Sequence, residues 1–261
     1  CRCKVSEYRD LPRALNMMQM ATAVIFYRVP DGHQFRCCLD EARRLGLRVG
    51  YDIDDPIFDL NVYKTNVNLD SLDKKEKKVL LASTQQYKDA MLQCDYLIVS
   101  TPGMRALASR FYRKDVYIWR NALDGETISA LNSINQSKAR SLNNGRMMIS
   151  YMSGSRAHDA DFMTVSELLS HVLGDTKDVD LLIGGYFNLP DCMEPYKDRI
   201  HQLPFSGYRA YMSSLSRADI NIIPLVNNEF NSCKSAIRFM EAAALGVPSI
   251  ASRVGDFENL V

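Results

Sequence analysis

The sequence predicts an α/β protein of two Rossmann-like domains facing one another across a cleft, and three observations carry that expectation. Short apolar runs rich in β-branched residues recur along the whole chain, amphipathic helical stretches separate them, and a polar tract breaks the rhythm near the middle. Alternation of this kind calls for parallel sheets with helical crossovers. Open sheets so built bind ligands at the carboxyl ends of their strands, which two facing domains turn into the walls of a cleft.

Taken in order, a helix-like stretch over 11–20 comes first, and strands are expected at 23–27, 47–51, 96–100 and 116–119. The helical period is clearest after the first strand, where Phe35, Cys38, Leu39, Ala42 and Leu45 recur at spacings of three and four. The tract 126–145 carries Ser129, Asn132, Ser133, Asn135, Ser137, Ser141, Asn143 and Asn144 and reads as a linker. The first domain is thus expected over 1–125, the linker over 126–146 and the second domain over 147–261. Strands at 147–151, 180–183, 219–225 and 248–251 build the second sheet. No strand precedes Ala21 and no closing helices follow Ser252, so both domains read as incomplete at the chain ends. Cys1 in place of Met suggests a chain cut from something longer.

Composition excludes several classes. In 261 residues, 46% apolar and 24% charged, 32 Lys and Arg nearly cancel 31 Asp and Glu. Coating of nucleic acid through bulk positive charge is therefore disfavoured, and so is disorder. The longest apolar stretches, such as 242–247, are far shorter than the roughly 20 residues of a spanning helix. The seven cysteines are scattered, without a Cys-x-x-Cys pair, and the four histidines are dispersed. A structural zinc site is disfavoured, and a reducing cytoplasm is the expected setting.

The most informative segment runs from Pro224 to Ser252. A strand ends at Pro224 and Leu225, a polar loop follows, a helix is expected to open near Lys234 or Ser235, and Gly246 with Pro248 closes it. A helix start exposes unpaired N–H groups and the positive end of the dipole, which suit a phosphate. On such a helix Lys234, Arg238 and Glu241 share one stripe, while Ala236, Ile237, Met240, Ala243 and Ala244 face the core. A diphosphate at the helix start could extend its ribose to Glu241. A surface pair of Arg238 with Glu241 beside an ordinary capped helix fits the spacing equally well.

The run from Glu241 to Ser252 resembles the donor-binding helix and following strand of the family-4 glycosyltransferases, which have the two-domain GT-B fold and use nucleotide-sugar donors. The resemblance implies that Glu241 holds the ribose hydroxyls and that the Ser232–Ser235 turn, with Ser232, Lys234 and Ser235, binds the pyrophosphate. Many members carry a second glutamate eight positions before the ribose glutamate, in contact with the sugar. That position here is Cys233, and Glu229 is out of register. The run Ile149 to Asp159 resembles the entry to the donor domain, with Gly154 for close backbone approach, Arg156 as a phosphate cation, and His158 as a contact or a helix cap. Leu203 to Tyr208 occupies the place of the loops that hold the nucleotide base. Phe205 and Tyr208 are candidate base contacts or core residues.

In the first half, the run Arg48 to Phe58 resembles the strand and acidic turn of members that build bacterial surface polysaccharides. Three readings compete for Asp52, Asp54 and Asp55. An Asp-x-Asp pair can hold a divalent metal on a diphosphate, as in GT-A transferases. The same pair after a strand suits a haloacid-dehalogenase-type phosphatase, but Pro56 stands where that motif wants Thr or Val. The third reading, acceptor binding with a turn role, is adopted because the two-domain pattern leaves the donor to the other half. The runs Gln93 to Pro102 and Val116 to Asp124 resemble the last acceptor-domain strands and the crossover, where Asn121 is a turn former; His33 stands in a loop and is left unassigned.

The expected function is transfer of a sugar from a nucleotide-diphosphate-sugar to a glycan or lipid-linked acceptor, as in polysaccharide biosynthesis. The resemblance implies retention of anomeric configuration and no metal or cofactor. No nucleic-acid partner is expected. Arg36, Arg43, Arg44 and Arg48 cluster about one helix, so a peripheral contact at the inner face of a membrane is a further expectation beside a solvated helix face. Two alternatives stand: a transferase-like module that binds nucleotide or glycan without turnover, and a metal-dependent enzyme centred on Asp52 and Asp54. A nicotinamide dehydrogenase is disfavoured, because no Gly-x-Gly-x-x-Gly turn follows an expected strand.

Overall fold

The computed structural model describes residues 3–66, 69–70, 72–138, 145–152, 159–185 and 187–260. They form two compact units. The first comprises Cys1–Asn66, Asp73–Arg120 and the short return segment Ser232–Ser235; the second comprises Val67–Leu72, Asn121–Asn231 and Ala236–Val261.

In the first unit the order is α1 (Leu11–Met18), β1 (Ala23–Tyr27), α2 (His33–Arg44), β2 (Arg48–Ile53), α3 (Leu60–Lys64), α4 (Lys74–Gln93), β3 (Tyr96–Val99), α5 (Pro102–Ala108) and β4 (Asp115–Ile118). The sheet is parallel throughout in the order β1-β2-β3-β4. Phe35, Cys38, Leu39 and Ala42 of α2 are buried, as their spacing requires. Helix starts are fixed by side-chain acceptors: Asp59 caps α3 and Asp73 caps α4, each taking two backbone N–H groups. Gly50 of β2 lies opposite Tyr96 of β3, and a β-carbon there would come within 2.6 Å of the tyrosine ring. The register pairs Tyr27 with Asp52 and Ile53 with Val99, so the carboxyl ends of β1, β2 and β3 open at one edge. Arg28, Asp54, Asp55, Ser100 and Thr101 follow those ends.

The second unit runs α6 (Gly125–Lys138), β5 (Met147–Met152), α7 (Asp159–Asp175), β6 (Val179–Gly184), a 3-10 segment (Asp191–Arg199), β7 (Ile200–Leu203), α8 (Tyr208–Leu215), β8 (Ile220–Ile223), α9 (Ile237–Ala244) and β9 (Ser249–Ala251). Its sheet is parallel, in the order β7-β6-β5-β8-β9. Every residue of β6 is buried, as a parallel strand covered on both faces must be. One core gathers Met152, Leu182, Met212, Leu215 and Leu245; another gathers Tyr151, Phe162, Leu169, Leu173 and Ile183.

Three sequence expectations need correction. The tract expected as a linker holds α6, because Ile128, Leu131 and Ile134 recur every third residue and the last two enter the core with Met152 and Leu182. The strand β7 has no counterpart among the expected strands: it is an edge strand whose His201 and Gln202 are exposed, so no apolar run marks it. Finally, α9 begins at Ile237, three residues after Lys234.

Candidate functional site

In the second unit, the carboxyl ends of β5, β6 and β7 meet α8 and α9 around a cavity of about 340 Å³. Met152 and Gly184 line it from the strand ends, Leu203 to Ser206 from the loop after β7, Tyr208 and Tyr211 from α8, and Ile237, Arg238 and Glu241 from α9. Glu241, Phe205 and Tyr208, which come from separate stretches of sequence, thus share one cavity. Arg238 is the one cation in its lining among the described residues.

Glu241 is only 7% exposed. The Tyr211 hydroxyl donates to its Oε2 at 2.8 Å, and Tyr208 lines the same cavity. Burial raises the Glu241 pKa, opposed by the Tyr211 hydrogen bond, the nearby Tyr208 hydroxyl and Arg238. Burial and the adjoining carboxylate push the Tyr208 hydroxyl up to about 12 and raise that of Tyr211 as well, so both stay protonated donors. Residues i and i+3 of α8 place the two rings together, with centroids 6.0 Å apart and planes inclined by 26°. Phe205 is 57% exposed and Tyr208 47%, so both present ring surface rather than filling the core.

The turn before α9 departs from expectation. The Asn231 side chain, 1% exposed, donates to Asp161 at 3.0 Å and to the Val226 carbonyl at 2.9 Å, and the Asn231 N–H bonds the Asn228 side chain at 2.8 Å. A short 3-10 turn, Asn231–Cys233, follows in place of a helix start. Lys234 and Ser235 therefore precede α9 and share no helical stripe with Glu241, and Ser232, Lys234 and Ser235 do not line the cavity. The segment Ser232–Ser235 packs instead within the first unit. Thr101 Oγ1 caps α5 by accepting from Met104 N–H at 3.1 Å and donates to the Cys233 carbonyl at 3.0 Å. A β-carbon at Gly103 would collide with the Ser232 carbonyl.

The acidic turn of the first unit is organised by Arg28. Its φ of 49° lies in the left-handed region, the one such non-glycine residue among those described. From there Nε meets Asp54 Oδ1 and Nη2 meets Asp55 Oδ2, both at 2.5 Å, while Lys234 Nζ donates to Asp55 Oδ1 at 2.9 Å. Burial opposes ionisation of Asp55, yet Lys234 and Arg28 hold its pKa below the usual range. Asp52 differs: burial, and then the charge of Asp54, push its carboxyl up to about 6. Two carboxylates of the turn are thus matched by resident cations. Among the described residues no group of three or more His, Cys, Asp or Glu side chains is arranged to hold a metal.

Gly154, Arg156 and His158 lie outside the described residues. Of the α2 basic cluster, Arg36 is bidentate on Asp31, Arg44 on Glu41, Arg43 donates to the Gln93 carbonyl, and Arg48 lies over the Tyr96 ring. Sequence reasoning missed Arg28 and Tyr211. The available signals were a cation directly after a strand, level with an acidic turn on the next strand, and a tyrosine three residues beyond Tyr208.

No protein-family model matches the chain, and no curated protein matches it by sequence. Solved structures do match in fold. Sucrose-phosphate synthase from Thermosynechococcus elongatus superposes with a TM-score of 0.55 at 14% identity, over 97% of this chain and 63% of that one. WaaG, a glycosyltransferase involved in lipopolysaccharide biosynthesis, gives 0.55 at 12% identity, over 99% of this chain and 80% of that one. The UDP-forming α,α-trehalose-phosphate synthase from Burkholderia vietnamiensis gives 0.52 at 12%, over 99% and 65%. The chain therefore spans less than two thirds of the length of two of these three matches. At such identities the likeness shows the fold: an α/β architecture of two parallel sheets, of the GT-B glycosyltransferase type.

Proposed function

We propose that the protein is a glycosyltransferase of family-4 type that moves a sugar from a nucleoside-diphosphate-sugar to a hydroxyl of a glycan or lipid-linked acceptor, with retention. The observation that carries this reading is the cavity at the strand ends of the second unit, where a buried carboxylate, Glu241, stands beside exposed aromatic ring surface and one arginine. A carboxylate suits the ribose diol, Phe205 and Tyr208 suit a nucleobase, and a cation suits the diphosphate, where negative charge grows as the glycosidic bond breaks. Arg238 fills the last role among the described residues, with Gly154 and Arg156 as further contacts on the entry turn. Asp52, Asp54 and Asp55 belong to the acceptor-side unit in this reading, as shape and hydrogen-bond determinants rather than metal ligands.

No described helix is long and apolar enough to cross a membrane. Cys3, Cys37, Cys38, Cys94 and Cys192 are free thiols, which supports a reducing compartment such as the cytoplasm. Contact with a lipid-linked acceptor at a membrane face is part of the proposal.

Calorimetric titration with UDP-, GDP-, ADP- and CMP-sugars, with and without EDTA, tests the reading. One donor is expected to bind in both conditions. In a folded Glu241→Ala variant its affinity should fall by about 1 to 3 kcal/mol, the cost of losing a charged hydrogen-bond acceptor. Unchanged affinity would remove Glu241 from the site, and binding abolished by EDTA would favour the Asp52 and Asp54 metal reading. A module that binds without turnover is the second reading. Buried Cys233, at the position of the family's sugar-contacting glutamate, favours it. Product formation with a glycan acceptor, and the anomeric configuration of the product by NMR, decides between the two.

A further inference from the structure

The first unit carries a cavity of its own, of about 420 Å³. All four residues of β4 line it, with Lys114 just before the strand and Arg105 and Ser109 from α5. Successive residues of a strand point to opposite faces, so a cavity that touches four in a row lies along the strand's edge. That edge is free: β4 ends its sheet, and β3 is its one partner among the described residues. The N–H of Trp119, the residue after β4, donates to the Val99 carbonyl of β3 at 2.8 Å. Backbone direction alternates along a strand, so Val116 and Ile118 turn their N–H and C=O groups the other way, toward the open side. Tyr117 and Trp119 fall together on one face of this edge, 50% and 70% exposed. The run 114–120 holds no proline that would block a further strand.

The charge beside this edge is positive. Arg105 is exposed and has no ion-pair partner among the described residues. Lys114 Nζ donates to the Cys94 carbonyl at 2.8 Å, which leaves the ammonium two further N–H groups. Asp115, the one acid in the lining among the described residues, already accepts from the Tyr117 hydroxyl at 3.2 Å. We propose that β4 and α5 form a docking groove for an extended acidic peptide segment of a partner protein, which joins the four-stranded sheet as a fifth strand. Backbone hydrogen bonds to Val116 and Ile118 hold the segment, and its alternate side chains meet different surfaces: apolar ones beside Tyr117 and Trp119, carboxylates toward Arg105 and Lys114. A second copy of the chain fits this edge less well. Antiparallel self-pairing about Tyr117 sets Lys114 opposite Arg120 at both ends of the pair, and like charges directly opposite destabilise paired strands. The groove lies within the first unit and does not depend on the nucleotide reading of the second.

The test is an NMR titration of the isotope-labelled full chain with three end-blocked hexapeptides: one alternating Val with Glu, one alternating Val with Lys, and the Val–Glu peptide with proline at its two central positions. The Val–Glu peptide should bind with a Kd below about 1 mM, weaken as salt rises, and slow hydrogen exchange of the Val116 and Ile118 amides. The Val–Lys and proline peptides should bind more weakly by roughly tenfold or more. Two variants, checked for folding by circular-dichroism melts, probe the protein side. Arg105→Glu should weaken the Val–Glu peptide by roughly tenfold and improve the Val–Lys peptide, a reversal that a merely structural role would not produce. Ile118→Pro removes an outward N–H and no bond to β3, and should weaken the Val–Glu peptide by a similar factor. If Ile118→Pro does not fold, Arg105→Glu and the three peptides carry the same comparison. Equal binding of the Val–Glu and Val–Lys peptides, amide changes confined to residues away from β4 and α5, or no binding at about 1 mM overturns the groove. A concentration-dependent dimer in sedimentation, abolished by Ile118→Pro, also overturns it and gives the edge to a second copy.

Discussion

Replacing Asp52 by Asn should stabilise the protein in mild base and leave it nearly unchanged in acid. Burial, and then the charge of neighbouring Asp54, push the Asp52 carboxyl up to about 6 from its ordinary 3.8. A pKa raised in the folded state means that folding favours the protonated acid. No penalty exists below the unfolded value; it develops between about pH 4 and about pH 6 and is complete above that. Holding the ionised carboxylate in such surroundings costs at most about 3 kcal/mol. Asp52 is only partly buried, so solvent screening reduces this to about 1 kcal/mol. Asparagine keeps the shape and removes the charge. Urea unfolding of wild type and Asp52→Asn at pH 4 and pH 8 reads the difference: the variant should gain about 1 kcal/mol at pH 8 relative to pH 4. Equal differences at both pH values, or a loss at pH 8, would refute the argument. Millimolar manganese supplies a control, because a divalent ion on Asp52 and Asp54 would stabilise wild type and abolish the benefit of the substitution. No such stabilisation is expected.

Two further outcomes follow from the packing. Leu131→Ala should destabilise the second unit by about 2 to 5 kcal/mol in urea unfolding, because Leu131 is 3% exposed within the core beside Met152 and Leu182; a change under about 0.5 kcal/mol would return the tract to linker status. Lys234→Ala should cost about 1 to 2 kcal/mol at neutral pH, since it leaves a largely enclosed Asp55 with Arg28 alone. Asp55 has a depressed pKa, so its contribution is present above the unfolded value and disappears as pH falls. The Lys234→Ala difference should therefore shrink in acid, and a loss independent of pH would assign Lys234 a packing role.

The fold is legible wherever burial writes a one-dimensional pattern. A parallel strand covered on both faces, such as β6, shows as an uninterrupted apolar run, and eight of the nine strands among the described residues coincide with expected apolar runs. The exception, β7, is an edge strand like β1, β4 and β9 but differs in placing polar His201 and Gln202 at its exposed centre, so no apolar run marks it. The tract before β5 misleads for the opposite reason. Its abundant serine and asparagine suggest a linker, but composition averages over all faces of a helix, whereas only Leu131 and Ile134 need be apolar to fasten one side of α6 to the core.

The site is less legible, because its determinants are pairings across long sequence separations. Glu241 can be found from its own segment, but Tyr211, which holds it, lies thirty residues earlier, on a helix whose position depends on the intervening strand. Arg28 is harder still. Nothing local distinguishes it from other arginines; its role arises because β1 and β2 pair in a register that brings their ends level, and because a left-handed backbone turns the side chain toward Asp54 and Asp55. A non-glycine residue holds such a conformation where surrounding contacts offset its strain, here two charge-assisted hydrogen bonds. The same pairing changes how the acidic turn is understood. Three aspartates after a strand invite a cation, and sequence leaves open whether that cation is a metal. In the fold, Arg28 and Lys234 supply the positive charge for Asp54 and Asp55, leaving Asp52 as the carboxylate whose ionisation the environment resists. A metal binding there would have to displace two resident cations and engage Asp52, whose charge its surroundings already disfavour. Charge already satisfied within the chain thus argues against the metal reading, and the acceptor-side role of this turn stands as the proposal that acceptor binding by Asp54 and Asp55 variants tests.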